Sequence, residues 1–416
     1  MAIISTALWL HSASAEPSKE LAAAMQQLAA DNAADRQSAQ DSIVQMGRDA
    51  IEPLQQLIAT TKDVEQLTGA QAAVARIQEQ ALVGATYVTL KMNNATTEAI
   101  VNELSKQAGV PIKYTPNGAD QAGSFSVNID HQPLWTAVME VCRVAGLNVA
   151  PRNGNLLALG RGGMDLSGPR IIDGPFMVIA QGISTNSNVQ LAQPANINRT
   201  TNIQFSFFSE PKLRISQHPF NVKLSEAIDD TGRSLLLPAQ NMYDHYGNDN
   251  QLVWQGSSQL AVLDPPGKRI ARLKGQMTLL AATKTEMIEI ADIMTAHNVT
   301  KSAGGQTLIV KNVTTEPGST EVSLNVTILV SPDRGNLGYS LAQNIRLLDA
   351  DGQALQHTNS SGGGSLTKLE YKINYNKRTY DGEQKLVGDP TKLVLPIVVE
   401  TRPVELNFEF KDLPLP

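Results

Sequence analysis

The apolar residues of this chain change their period once, at Gly168-Pro169, and everything after that point is written for strands. From there to Pro416, short apolar/polar alternations are separated by clusters of Gly, Pro, Asn and Asp. A period of two sends one face of a strand inward and the other outward, and turn residues at short intervals fold such strands back on one another. Ahead of that point, helix-forming residues dominate or alternate with strand-like runs. A chain of 416 residues also exceeds what one hydrophobic core supports, so several modules are expected.

The β-rich part repeats itself. Asn202–Phe207 alternates like Ser323–Ile328, with Phe205 falling onto Val326 (326 − 205 = 121). Asp229-Asp230-Thr231-Gly232 matches Asp349-Ala350-Asp351-Gly352 (349 − 229 = 120), and Thr283-Lys284 matches Thr401-Arg402 (401 − 283 = 118). Three matches at nearly one spacing predict two consecutive β-sandwiches of immunoglobulin size, at 170–295 and 303–416. In this reading Val404–Phe410 closes the second sandwich, and Ser360–Ser365 is a mobile loop.

Residues 16–82 are rich in Ala, Gln, Leu and Glu, a helical composition. Ala39, Ile43 and Val44 recur as Gly69, Ala73 and Val74, and Gly47 with Pro53 marks a break and a new helix start. The stretch resembles one HEAT-type repeat and half of another, which implies a helical piece that docks on a neighbour.

Residues 84–163 carry the clearest pattern. Strand-like Tyr87–Met92 is followed by a helix, Thr97–Gln107, capped by Asn94 or Thr96 and stopped by Gly109, and then by Val110–Tyr114. The order repeats with Ser124–Ile129, a helix Leu134–Ala145 stopped by Gly146, and Leu147–Val149. A turn at Arg152–Asn155 leads into Leu156–Leu159. The stretches LKMNNATTEAI at 90–100, LSKQAGVPI at 104–112 and LWTAVMEVCRVAGLNV at 134–149 resemble the short N-terminal domain of secretins and TonB-dependent receptors. That resemblance implies a docking module of the bacterial envelope that meets partners by a sheet edge or helix face. No receptor barrel or secretin channel region follows, so the chemistry of those families does not carry over.

Residues 1–15 read as a secretory signal, a short apolar run ending in Ala13-Ser14-Ala15, and imply an exported protein, periplasmic or at the cell surface. No Cys stands beside that site, which argues against a lipid anchor, and no later run is long and apolar enough for a membrane helix. Cys142, the one cysteine, allows no intramolecular disulfide, and its helix-core setting marks a small buried residue. A net charge of −6 without a basic block argues against nucleic acid as a partner.

Reactive constellations are missing from the pattern. The six histidines (11, 131, 218, 245, 297, 357) form no metal-spaced pair, and neither a nucleophile elbow nor a P-loop is present. Gly160-Arg161-Gly162-Gly163 opens no helix and reads as a linker. The polar runs 244–250 and 349–352 hold oxygens that suit a cation, yet each reads better as a loop or turn. Trp135 and Trp254 read as core residues, which leaves few aromatic platforms for sugars.

The expectation is therefore a multidomain α+β protein with no catalytic, cofactor-binding or metal-binding residue to name and no cofactor. Its work would be protein–protein interaction or scaffolding in the envelope, with the partner captured through 84–163. Carbohydrate or surface-polymer binding by the β-sandwiches, and a hydrolase with an unrecognised site, are the alternatives.

Overall fold

The computed structural model describes residues 17–116, 123–150, 156–164, 166–238, 246–247, 252–331, 338–365, 367–378 and 386–416. The signal-like segment, the turn at Arg152–Asn155 and all of the 244–250 run except Tyr246-Gly247 lie outside the described residues. The fold is mixed α+β with strands in the majority and several antiparallel sheets. It divides into two compact units that meet in sequence at Gly84/Ala85.

The first unit is four helices: α1 (Lys19–Gln27), α2 (Ala33–Met46), α3 (Ile51–Thr60) and α4 (Val64–Val83). Three starts are capped by side-chain oxygens. Ser18 accepts from the Leu21 amide, Asn32 from Ala34 and Asp63 from Gln66, each satisfying a donor the helix cannot. Gly47, with φ at 71°, ends α2. Leu28, Ile43, Leu54 and Ile77 are fully buried around Ala39 and Ala73. At Gly69 of α4 a Cβ would stand 3.1 Å from the Leu28 side chain, just past α1, and 3.4 Å from that of Gln40 in α2, so this glycine lets α4 approach both. Arg76 fastens α4 to Asp41 of α2 at 2.6 Å.

The second unit opens with an α/β module. β1 (Tyr87–Thr96), α5 (Thr97–Ala108), β2 (Ile112–Thr115), β3 (Ser124–Pro133), α6 (Leu134–Ala145), β4 (Asn148–Val149) and β5 (Leu157–Gly160) follow in the expected order. β1 and β3 form an antiparallel pair, while β5 lies parallel to β2 and antiparallel to β4. Thr96 is the cap of α5, its hydroxyl accepting from the Ala99 amide, and Gly109 and Gly146 end the helices in left-handed backbone, each with φ at 64°.

Helix α6 is buried on more than one side: Leu134, Trp135, Ala137, Val138, Val141, Cys142 and Ala145 are all inside. Its second neighbour is the first β layer, made of β6 (Arg170–Asp173), β7 (Phe176–Gln190), β8 (Gln193–Ser209) and β12 (Val253–Leu260) in the order β12-β8-β7-β6. Met177, Ile179, Phe208 and Val253 join the core of the α/β module. Trp135 meets Phe208 edge-on at 5.6 Å and donates its indole N–H to the Pro175 carbonyl at 3.1 Å. Residues 84–163 therefore share a core with the strands that follow.

The other sheets are built from β9 (Ile215–Pro219), β10 (Lys223–Asp229), β11 (Tyr246–Gly247), β13 (Arg269–Ala291), β14 (Val299–Ala303), β15 (Gln306–Thr314), β16 (Glu321–Leu329), α7 (Gly338–Asn344), β17 (Arg346–Leu348), β18 (Gln356–Gly364), β19 (Lys368–Asn376) and β20 (Lys392–Pro414). β14-β15-β16-β19-β18 is one sheet, and β13 with β20 forms the spine of another. These two strands pair antiparallel along their whole length, from Arg269 opposite Pro414 to Ala291 opposite Lys392. Val404–Phe410, expected to close the second β segment, thus lies against Leu273–Leu279 of the first. In return Glu286–Ala291 of the first lies against Lys392–Ile397 of the second. The crossover falls at a bulge, where Ala282, Lys284 and Thr285 face Thr401, Glu400 and Val398. Burial shifts phase there, from Leu273, Met277, Leu279 and Ala281 to Ile288 and Ile290, because one extra residue moves the inward set by one position.

One expectation is corrected. Ser360–Gly364 belongs to strand β18, paired with β19 from Ser360 opposite Ile373 to Gly364 opposite Leu369. Small residues suit this strand because a Cβ on Gly362 would run into the Glu370 carbonyl and the Tyr371 ring.

Candidate docking groove

The residues expected to meet a partner, in 84–163, border a groove of about 680 Å³. β3 contributes Asn128, Ile129, Asp130 and Gln132; α6 contributes Thr136, Met139, Glu140 and Arg143; Leu166, Arg170 and Ile172 form the far wall. A strand that shows a face lends every second residue to a surface. Asn128, Ile129 and Asp130 are consecutive, so this space runs along the edge of β3. Among the described residues that strand pairs only with β1, which leaves its other edge to a further strand.

The charges that β3 and α6 bring to the groove are matched in pairs. Arg143 grips Glu140 with two hydrogen bonds, at 2.5 and 2.8 Å, which hold the Glu140 carboxyl below its usual range and raise the Arg143 guanidinium. The Lys91 ammonium, 2.8 Å from Asp130, lowers that carboxyl in the same way. Arg170 donates to the Leu166 carbonyl at 2.8 Å. Cys142 also lines the groove but is only 4% exposed, and burial pushes its thiol up to about 12. A thiol held protonated in this way is a poor nucleophile. The arrangement offers an extended segment backbone partners along β3, an apolar strip of the half-buried Met139 and Ile172 with Ile129 and Leu166 buried beneath it, and charge of both signs at the rim.

The sequence leads one to expect a partner surface within 84–163, and the far wall of the groove lies outside that span, beyond a run at 164–169 whose Gly and Pro look like linker. The signal that could have found it is Leu166, an isolated large apolar residue in that run, which is buried.

Three other polar sites, at Glu210, Asp229 and Asp349, are closed structural devices. Glu210, 1% exposed, accepts from the Thr86 amide at 2.9 Å and the Thr86 hydroxyl at 2.6 Å, with the Lys212 ammonium at 3.4 Å. The cation candidate at 349–352 and its sequence counterpart at 229–232 are matching turns. Asp229 Oδ1 accepts from the amides of Thr231 and Arg233 at 2.9 and 2.8 Å, and Asp349 Oδ1 accepts from those of Asp351 and Gln353 at 3.0 and 2.8 Å. Trp135 and Trp254 are both buried, the latter stacked on Phe207 at 5.6 Å. Among the described residues, no group of three or more His, Cys, Asp or Glu stands close enough to hold a metal.

Comparison with known proteins gives no match to this chain, whether to family models, to curated proteins or to solved structures.

Proposed function

We propose that this is an exported, non-catalytic protein of a bacterial envelope that holds proteins together, and that its α/β module accepts an extended segment of a partner along β3. The observation that carries the reading is the groove itself, with an open strand edge on one side and an apolar strip beside it. The finer architecture belongs to the same proposal: a HEAT-type helical piece, a secretin-like docking module and two immunoglobulin-like sandwiches.

The test is site-specific photo-crosslinking in intact envelopes with the full chain. A crosslinker at Gln132 should give an adduct that maps to one extended segment of a partner. Thr136→Trp, which fills the groove, should reduce it at least about tenfold. Unchanged adducts in the filled variant, or none at Gln132, would remove the groove from the reading.

Polymer binding has one observation in its favour, the polar outer face of the five-stranded sheet. There Asn325 donates to Asn312 at 2.7 Å and Ser323 to Asn374 at 2.9 Å, with Lys372 beside them. Retention of the full chain on immobilised cell-surface polysaccharide, lost in Lys372→Glu, would favour it.

A further inference from the structure

β7 and β8 run on together well past the layer they belong to. β6 borders β7 only at Phe176–Ile179, and β12 borders β8 only at Thr201–Phe208. Beyond Ser184 and Thr201 the two strands pair, among the described residues, with each other alone, up to Gln190 opposite Gln193. Ser184 through Val189 are all exposed, so neither face of β7 is covered along this stretch. At about 3.3 Å per residue, each arm stands on the order of 20 Å clear of the sheet.

A free two-stranded ribbon is marginal in water, and natural proteins guard such edges with charges, prolines or bulges. The outer edge of β7 has none of these between Ile183 and Val189. From Gly174 to Asn198 the chain contains no Asp, Glu, Lys, Arg or His. The apolar side chains Val189 and Leu191, 43% and 90% exposed, stand at the end of the arm.

We infer that this arm joins two copies of the chain, with β7 pairing antiparallel to β7 of a second copy about a twofold axis at Asn186. The occupant follows from the strip itself. A foreign strand would be chosen by charge or by pockets, and the strip has neither, whereas it complements itself. Around Asn186, Thr185 falls opposite Ser187, Ser184 opposite Asn188 and Ile183 opposite Val189. Hydroxyls and amides thus meet one another, and the exposed valine gains an apolar cover. Each chain carries a net charge of −6, and arms of this length keep the two bodies more than a Debye length of about 8 Å apart. The inference is independent of the groove.

Sedimentation equilibrium of the full chain tests it. The expected species is a dimer. Asn186→Lys, which sets two ammonium groups opposite each other at an exposed position, should weaken it at least about tenfold. An equal mixture of Asn186→Lys and Asn186→Glu chains should restore it. Asn186→Cys should crosslink across the axis on mild oxidation, with little background because Cys142 is buried. A wild-type chain that stays monomeric overturns the inference. So does a dimer that Asn186→Lys leaves intact and Asn186→Cys fails to link.

Discussion

The two β halves of this protein share a plan and differ in what covers them. The match at 120 residues is structural: Ile228 bridges Ser234 as Leu348 bridges Ala354, and the Leu235 and Leu355 amides donate to the Ala227 and Leu347 carbonyls. Ser209 donates to Leu252 as Val330 does to Thr367. On that common plan the outward residues diverge. In the first half Met177, Ile179, Phe208 and Val253 point away from the Phe205–Phe408 cluster and are buried by α6 and its neighbours. In the second half the corresponding face carries Ser323, Asn325, Lys372 and Asn374. Inward alternation makes a two-layered half, and the outward set decides whether a third layer is added.

The largest effect expected from this contrast concerns the α/β module. A fragment 84–163 leaves Trp135 and the outer side of α6 in water, and it should show no cooperative melting and should bind a hydrophobic dye. A sharp calorimetric transition in that fragment would show that the shared core is dispensable. Next is a pair of equivalent positions, Phe208 and Leu329, which are 0% and 37% exposed. Phe208→Ala should cost about 3–5 kcal/mol in urea denaturation, from lost burial and the cavity beside Trp135. Leu329→Ala should stay within roughly 1 kcal/mol. Similar losses at both sites would mean that the second half also has a covered outer face.

This asymmetry was partly legible. Caps and stops gave the element order of 84–163, since Thr96, Gly109 and Gly146 act through local geometry that a sequence displays directly. Adjacent buried residues, such as Phe207-Phe208 and the run Phe176–Ala180, break strict alternation and announce a layer buried on both faces. The exchange of closing strands was harder to see. Its trace is the phase inversion from Leu393, Leu395 and Ile397 to Val404, Leu406, Phe408 and Phe410, but which strand lies opposite is set by long-range packing. The groove was half legible, because its far wall comes from a run whose Gly and Pro read as linker.

A smaller effect separates two glycines, one in each half. Gly362→Ala in β18 forces a methyl group into the backbone of β19 and should cost about 1–3 kcal/mol. At Gly182 of β7 a Cβ meets nothing within 4 Å, and the same substitution should stay within about 0.5 kcal/mol by the same denaturation measurement.

The smallest effect distinguishes the twin turns by pH. Burial of Asp229 raises its carboxyl, but the hydrogen bonds from Thr231 and Arg233, including the Thr231 hydroxyl at 2.7 Å, outweigh it and hold the group at about 2. The folded value lies below the unfolded one, near 3.9. Its contribution is therefore present above about pH 4 and disappears as pH falls from about 4 towards 2. At the second turn Asp351 stands where Thr231 does and Gln353 where Arg233 does, so these two positions bring neither a hydroxyl nor a guanidinium to Asp349, whose Oδ2 accepts from the Gly388 amide at 3.2 Å. Thr231→Ala should flatten the acid limb of a urea-midpoint-versus-pH curve, Arg233→Gln should flatten it less, and Gln353→Ala should leave its slope unchanged. If Gln353→Ala flattened the curve as much as Thr231→Ala, the acid sensitivity would belong to the shared turn geometry and not to the side chains that set the first half apart.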